Sequence, residues 1–219
     1  MKTKLLGMTC GSVFVDGVLG TPLRDGGHFE DMPETGEITF AKSRRNFRFF
    51  FGVPHALQHA SVAAMARGSR LLGIAQEILG SKAFPFRATL FDKSPKANWL
   101  VVWHQDTALP LRDRRELPGW GPWSVKEGVN YAHAPASALC RVLALRVHLD
   151  HSTARNGPLR VLPGTHKLGV LSDEVIHQLA AQVSAVDCLV PRGGVLAMRP
   201  LLIHSSSKSP AIPLCPHGF

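Results

Sequence analysis

The chain has no CxxC pair. Its four cysteines stand apart at Cys10, Cys140, Cys188 and Cys215. A thiolate zinc site is therefore not expected, and a chain of 219 residues does not need disulfides to fold. Reduced thiols in a cytoplasmic protein are the expectation. No apolar run approaches the roughly 18–20 residues of a membrane span, so no membrane contact is expected. The start, from Met1 to Met8, resembles a signal peptide only faintly, because Asp16 and the glycines interrupt the apolar stretch and no small-residue cleavage site follows. Repeats and low-complexity tracts are missing too, which removes solenoids and propellers. Acidic residues are the scarcer charge, 16 against 25 Lys+Arg, and Tyr occurs once.

Hydrophobic residues make up 45% and charged residues 19%, enough apolar material for a core and too little charge for wholesale disorder. The 20 Gly and 16 Pro favour many short elements over a helical bundle. A net charge of +9 suits an anionic small-molecule substrate. The basic clusters at 42–48 and 112–115 are short and read as solvated surface, so nucleic acid is not an expected partner.

The spacing predicts one domain over residues 1–219, α+β and mainly β. Residues 1–55 read as an irregular N-terminal part with strand-like pieces at 12–15 and 37–40. Residues 56–80 read as helical: Leu57, Ala60, Ala64, Leu71, Ala75 and Leu79 recur at helical intervals, with a break near Gly68 and a cap at Gly80. Beyond residue 85 the period becomes that of strands, at 87–91, 99–103, 142–149, 157–162 and 195–198, with a helix at 173–183 before the last of them. Residues 109–138 read as a long loop containing Leu117-Pro118-Gly119-Trp120-Gly121-Pro122-Trp123. A loop of that length is expected to act as a mobile lid, with Trp120 or Trp123 closing on a substrate. The pattern suggests a sandwich or small barrel.

Eleven histidines are many for this length. Trp103-His104-Gln105-Asp106 ends an apolar strand, and on an extended backbone His104 and Asp106 face the same side. An imidazole and a carboxylate so placed can take two adjacent corners of a metal's coordination sphere. A histidine from a distant strand would complete a two-His-one-carboxylate set with open positions, as non-haem Fe(II) oxygenases require. His204, after the apolar run 201–203, is the candidate. A second HxD, His148-Leu149-Asp150, is geometrically as good, although it precedes a turn where both residue types are common.

Three stretches resemble the phytanoyl-CoA dioxygenase family. The first is Leu90-Phe91-Asp92-Lys93 with Asn98-Trp99 and Trp103-His104-Gln105-Asp106. The second is Asn156-Gly157-Pro158-Leu159-Arg160-Val161-Leu162-Pro163-Gly164-Thr165-His166-Lys167. The third is Arg199-Pro200-Leu201-Leu202-Ile203-His204-Ser205-Ser206. The likeness runs from 87 to 209 and does not reach residues 1–55. It implies a double-stranded β-helix, or jelly roll, with its core over 85–209 and N-terminal helices packed on it. It implies binding of Fe(II), 2-oxoglutarate and O₂, and hydroxylation of a C–H bond in a small or lipid-like substrate as the keto acid becomes succinate. It selects the first HxD, so His104, Asp106 and His204 carry over as iron ligands, with Asp106 favouring hydroxylation over halogenation. His166 lies near the site in relatives without binding metal. Lys93 and Ser206 match co-substrate contacts, and Gln105 sits within the matching HQD.

One family feature is missing. Relatives carry an Arg about ten residues after the distal His, paired with the far carboxylate of 2-oxoglutarate. Residues 210–219 hold no Arg and three prolines, and so are expected to form no central strand. The chain reads as truncated relative to the family, with an open sheet edge that invites dimerisation or aggregation and with lowered activity. Arg146, on the 143–149 strand, is the candidate replacement anchor. The competing expectations are a non-catalytic relative that holds metal or ligand without turnover, and a zinc hydrolase using the same three side chains.

Overall fold

The computed structural model describes residues 11–19, 56–92 and 99–209. The strands are β1 (Gly11–Leu19), β2 (Ala83–Asp92), β3 (Val101–His104), β4 (Ala108–Leu111), β5 (Trp123–Lys126), β6 (Val129–His133), β7 (Val142–His148), β8 (Leu159–Val161), β9 (Val186–Cys188), β10 (Val195–Met198) and β11 (His204–Ser206). The helices are α1 (Ala60–Arg67), α2 (Ser69–Leu79), α3 (Ala136–Leu139) and α4 (Asp173–Gln182). The architecture is mostly β with few helices, and every sheet is antiparallel.

Two four-stranded sheets form the body, in the orders β10-β7-β1-β2 and β3-β11-β8-β9. Side chains alternate along β7 and divide two cores. Leu143, Leu145 and Val147 face outward and bury against Leu71, Ala75 and Leu79 of α2. Those three α2 residues recur every four positions, which is why one face of that helix is apolar and packs. Ala144 faces the opposite way and packs with Leu159, Val161 and Cys188 of the second sheet. On that sheet's far side, Leu162, Ile203 and Trp103 bury against Ile176 of α4. The layers are therefore helix, sheet, sheet, helix, and Arg146 and His148 point into the space between the sheets.

The helical stretch breaks at Gly68, which is extended, and ends at Gly80, whose φ of 103° only glycine adopts readily. Two expectations are corrected. The strand-like piece expected at 12–15 is part of the longer β1, which lies in the middle of its sheet between β7 and β2, so the sheets are not confined to 85–209. The stretch expected to be a loop at 109–138 carries a third sheet, β4-β6-β5, and runs into α3. Leu109, Ala134 and Leu139 bury there with Phe86 and Leu201, and Trp120 packs on them. Alternation in these short strands is weak, and turns at Gly119, Gly121 and Gly128 hide it among loop-like residues. The strand-like piece at 37–40, Lys93 and the expectation for 210–219 lie outside the described residues. No described helix is long and apolar enough to cross a membrane.

Candidate metal centre

His104 ends β3 and His204 opens β11, and the two are direct partners across the ladder. Backbone bonds set this pairing. Asp106 N donates to Pro200 O at 2.9 Å. The Gln105 side chain, on the opposite face from its neighbours, donates to Leu201 O (2.8 Å) and Gly169 O (3.0 Å) and accepts from Leu171 N (2.9 Å). The turn before β11 is thereby locked to the end of β3, ninety-odd residues away in sequence.

The two imidazole centroids are 4.2 Å apart. Each ring is oriented by its own strand: His104 Nδ1 lies 2.8 Å from Val102 O and His204 Nδ1 lies 2.8 Å from Leu202 O. A carbonyl only accepts, so each Nδ1 carries a proton, and in the neutral ring Nε2 then carries the lone pair. Both Nε2 atoms face the Asp106 carboxylate, with His104 Nε2 3.7 Å from Oδ1 and His204 Nε2 3.5 Å from Oδ2. The ligand atoms of His104, Asp106 and His204 all lie within 4.8 Å of one another, and among the described residues they are the group of three or more so placed. Neutral imidazoles with Nδ1 hydrogen-bonded and Nε2 presented are the usual form of metal-binding histidine. His204 is buried, while Asp106 keeps 40% exposure and His104 34%, so the site has an open side.

Burial opposes charge on all three groups. Desolvation would raise Asp106, but the close contact with His104 and the charges of His204, His104 and Arg87 outweigh it and hold the carboxyl well below the usual range. Burial would lower His104, and the Asp106 carboxylate reverses that and raises it. Burial dominates at His204 and lowers it despite Asp106. Two arginines add positive potential: Arg87 on β2 acts on Asp106 and Arg146 on β7 acts on His204. Arg87 escaped the sequence reading because a single basic residue in a strand carries no signal of its own.

The second HxD is not part of this group. His148 is 1% exposed and faces between the sheets. Neither of its ring nitrogens has a hydrogen-bond partner. Such a group costs about 1–3 kcal/mol for each bond left unmade. Burial, with the Arg146 charge adding to it, pushes its pKa down to about 4. Arg146 is 8% exposed on the same face. Ser206 is buried and its hydroxyl donates to Gly157 O at 3.0 Å. Thr165, beside His166, bridges Leu162 O and Ile203 N.

Residues 36–211 match the family Phytanoyl-CoA dioxygenase (PhyH), further towards the N-terminus than the motifs alone reach. L-proline trans-4-hydroxylase of Streptomyces griseoviridis is 23% identical over 173 residues, covering 67% of this chain and 57% of that protein. Among solved structures, EctD from S. alaskensis in its apoform is similar at a TM-score of 0.51 and 25% identity, over 69% of this chain and 49% of that one. The chain spans about half the length of these relatives. A histidine–aspartate–histidine cluster on paired antiparallel strands, inside a sequence match over most of the chain, leads to one conclusion: this protein belongs to the phytanoyl-CoA dioxygenase family.

Proposed function

We propose that the chain is a non-haem Fe(II)- and 2-oxoglutarate-dependent dioxygenase that hydroxylates a small or lipid-like organic substrate. The observation that carries this reading is the convergence of His104 Nε2, His204 Nε2 and the Asp106 carboxylate, both imidazoles already in the ligating tautomer. In this reading the two facing sheets form a double-stranded β-helix within one domain.

His104, Asp106 and His204 would hold the iron. Nε2-to-carboxylate distances of 3.5 and 3.7 Å need to shrink only slightly to reach the ~3 Å expected when each ligand lies ~2.1 Å from a shared ion. When bound, iron and 2-oxoglutarate supply the oxidising power that lets O₂ hydroxylate an unactivated C–H bond. The protein's own residues position and shield. Arg146 supplies positive charge to anchor the keto acid, in place of the Arg missing from 210–219. Ser206 would turn its hydroxyl proton from Gly157 O to a carboxylate oxygen, and Lys93 is a third anchor. The exposed side of Asp106 and His104 is the approach for substrate. Free Cys140 and Cys188 fit a reducing, cytoplasmic setting.

The test is succinate formation that depends on Fe(II), 2-oxoglutarate and O₂, with L-proline as first probe because of the Streptomyces griseoviridis relative. Succinate released in step with oxygen consumption, and lost in Asp106→Ala, is the expected result. A protein that binds neither metal nor 2-oxoglutarate would sink the reading.

A further inference from the structure

The pairing of β8 with β11 continues past β8 through an irregular rung, and that rung falls beside His204. His204 faces Val161, Ser205 faces Arg160 and Ser206 faces Leu159. The next pair in this register is Ile203 with Leu162, a position where an antiparallel ladder exchanges two backbone bonds. One of them is direct: Leu162 N donates to Ile203 O at 2.9 Å. The other runs through a side chain. Ile203 N donates to Thr165 Oγ1 at 3.0 Å, and that hydroxyl donates in turn to Leu162 O at 2.8 Å. The local sequence explains the insertion. Gly164, at a φ of 83°, turns the chain back so that Thr165 tucks in beside the end of β8, where it is 3% exposed. A direct bond would hold Ile203 N about 2.9–3.0 Å from Leu162 O. The hydroxyl stands between the two and parts the strands on this side. Leu162 and Ile203 are fully buried, so without the hydroxyl Ile203 N would be left a dry, unpaired donor.

Ile203 immediately precedes His204, so what fixes the Ile203 peptide fixes the point from which the His204 ring starts. The same segment is held from the β3 side by Gln105, whose amide donates to Leu201 O. We propose that Thr165 is a positioning residue of the metal centre: its hydroxyl is a spacer built into the β8–β11 ladder that sets where His204 presents Nε2 to an ion shared with His104 and Asp106. This rests on the reading of those three side chains as metal ligands. Thr165 acts through the backbone and is not itself a ligand. Its hydroxyl donates and accepts at once, a role that serine can take over and valine cannot.

The test separates positioning from plain stability. Zn(II) affinity is measured by competition with a chelator, and the Co(II) absorption spectrum is recorded, for the wild type, Thr165→Val, Thr165→Ser and Ile176→Val, at a temperature where all are folded. Ile176 packs on Leu162 and Ile203 without entering the ladder, so Ile176→Val is a packing loss in the same core. Thr165→Val should weaken Zn(II) about 10-fold, the low end of what losing an outer-shell partner costs, and shift the Co(II) bands. Thr165→Ser should stay close to the wild type in both, and so should Ile176→Val even with a lower unfolding midpoint. Wild-type affinity and spectrum in Thr165→Val, or an equal Zn(II) loss in Thr165→Ser or Ile176→Val, overturns the positioning role and leaves the metal centre standing. Should Thr165→Val not fold, the wild type carries the test by linkage: a rung that favours the metal is favoured by it. Zn(II) should then slow hydrogen exchange at the Ile203 amide more than at Ala75 in α2, and equal slowing overturns the proposal. No metal bound by the wild type overturns both the proposal and the metal reading.

Discussion

His104 and His204 each commit an Nδ1 proton to a carbonyl two residues earlier, so neither ring can turn its Nε2 away without breaking a bond. Such preorganisation should make each ligand costly to lose. Asp106→Ala or His204→Ala is expected to weaken Zn(II) or Fe(II) binding by more than the roughly 10–100-fold that losing an outer-shell partner costs, measured by competition with a chelator. A loss below 10-fold would count against direct ligation. His148 makes a separate prediction. Its folded-state pKa of about 4 lies below the unfolded value of 6.5. Between these values the unfolded chain takes up a proton that the folded chain refuses, so stability falls as pH falls from 6.5 towards 4, by up to about 3 kcal/mol. Above pH 6.5 that contribution is fully present. Urea unfolding at pH 7 and pH 4.5 should show a smaller acid loss in His148→Gln than in the wild type. Parallel losses would mean that His148 is not buried neutral.

Among the elements, β3 and β11 depend on Gln105 more than on their own length. β11 has three residues and β3 four, and their register shifts between His204 and Ser206. The Gln105 amide ties β3 to the 169–171 segment and to the turn before β11. Gln105→Leu would leave Leu201 O, Gly169 O and Leu171 N without that partner, each at a cost of about 1–3 kcal/mol where water cannot replace it. The expected result is a lower unfolding midpoint together with weaker metal binding, because the turn that places His204 loosens. Unchanged metal affinity in a destabilised variant would show that the ladder alone sets the site. The β4-β6-β5 sheet with its buried Leu109 and Ala134 is too well packed for the whole 109–138 stretch to swing as a lid.

Over the whole molecule, a bridge between β3 and β11 draws together residues a hundred positions apart. A ligand for that bridge should stabilise the entire fold. Zn(II) at about 100 times its dissociation constant should add about 2.7 kcal/mol, or about 5–10 °C in the unfolding midpoint for a domain of this size. The increase should vanish in His204→Ala. A midpoint that does not respond to metal in the wild type would separate the histidine–aspartate cluster from metal binding.

Much of this was legible in the chain itself. Residue spacing was enough for the α1–α2 break at Gly68, the α4 helix, the β10 strand and the same-side placement of His104 and Asp106, because helix and strand periods act locally. The likeness of three motifs to one family pointed to His204. The membership of β1 in the sheet centre was not legible, since its pairing with β7 and β2 is long-range and its flanks read as irregular. The third sheet was hidden by its glycine turns. The two HxD motifs, alike in their local spacing, were told apart in the sequence only by the family likeness, and tertiary structure supplies the physical reason. His104 meets His204 across a ladder, whereas His148 lies on a strand whose inward face meets Leu159 and Val161 in place of a third ligand. A strand's period says which side chains share a face, but which partner that face meets is decided by the sheet packed against it.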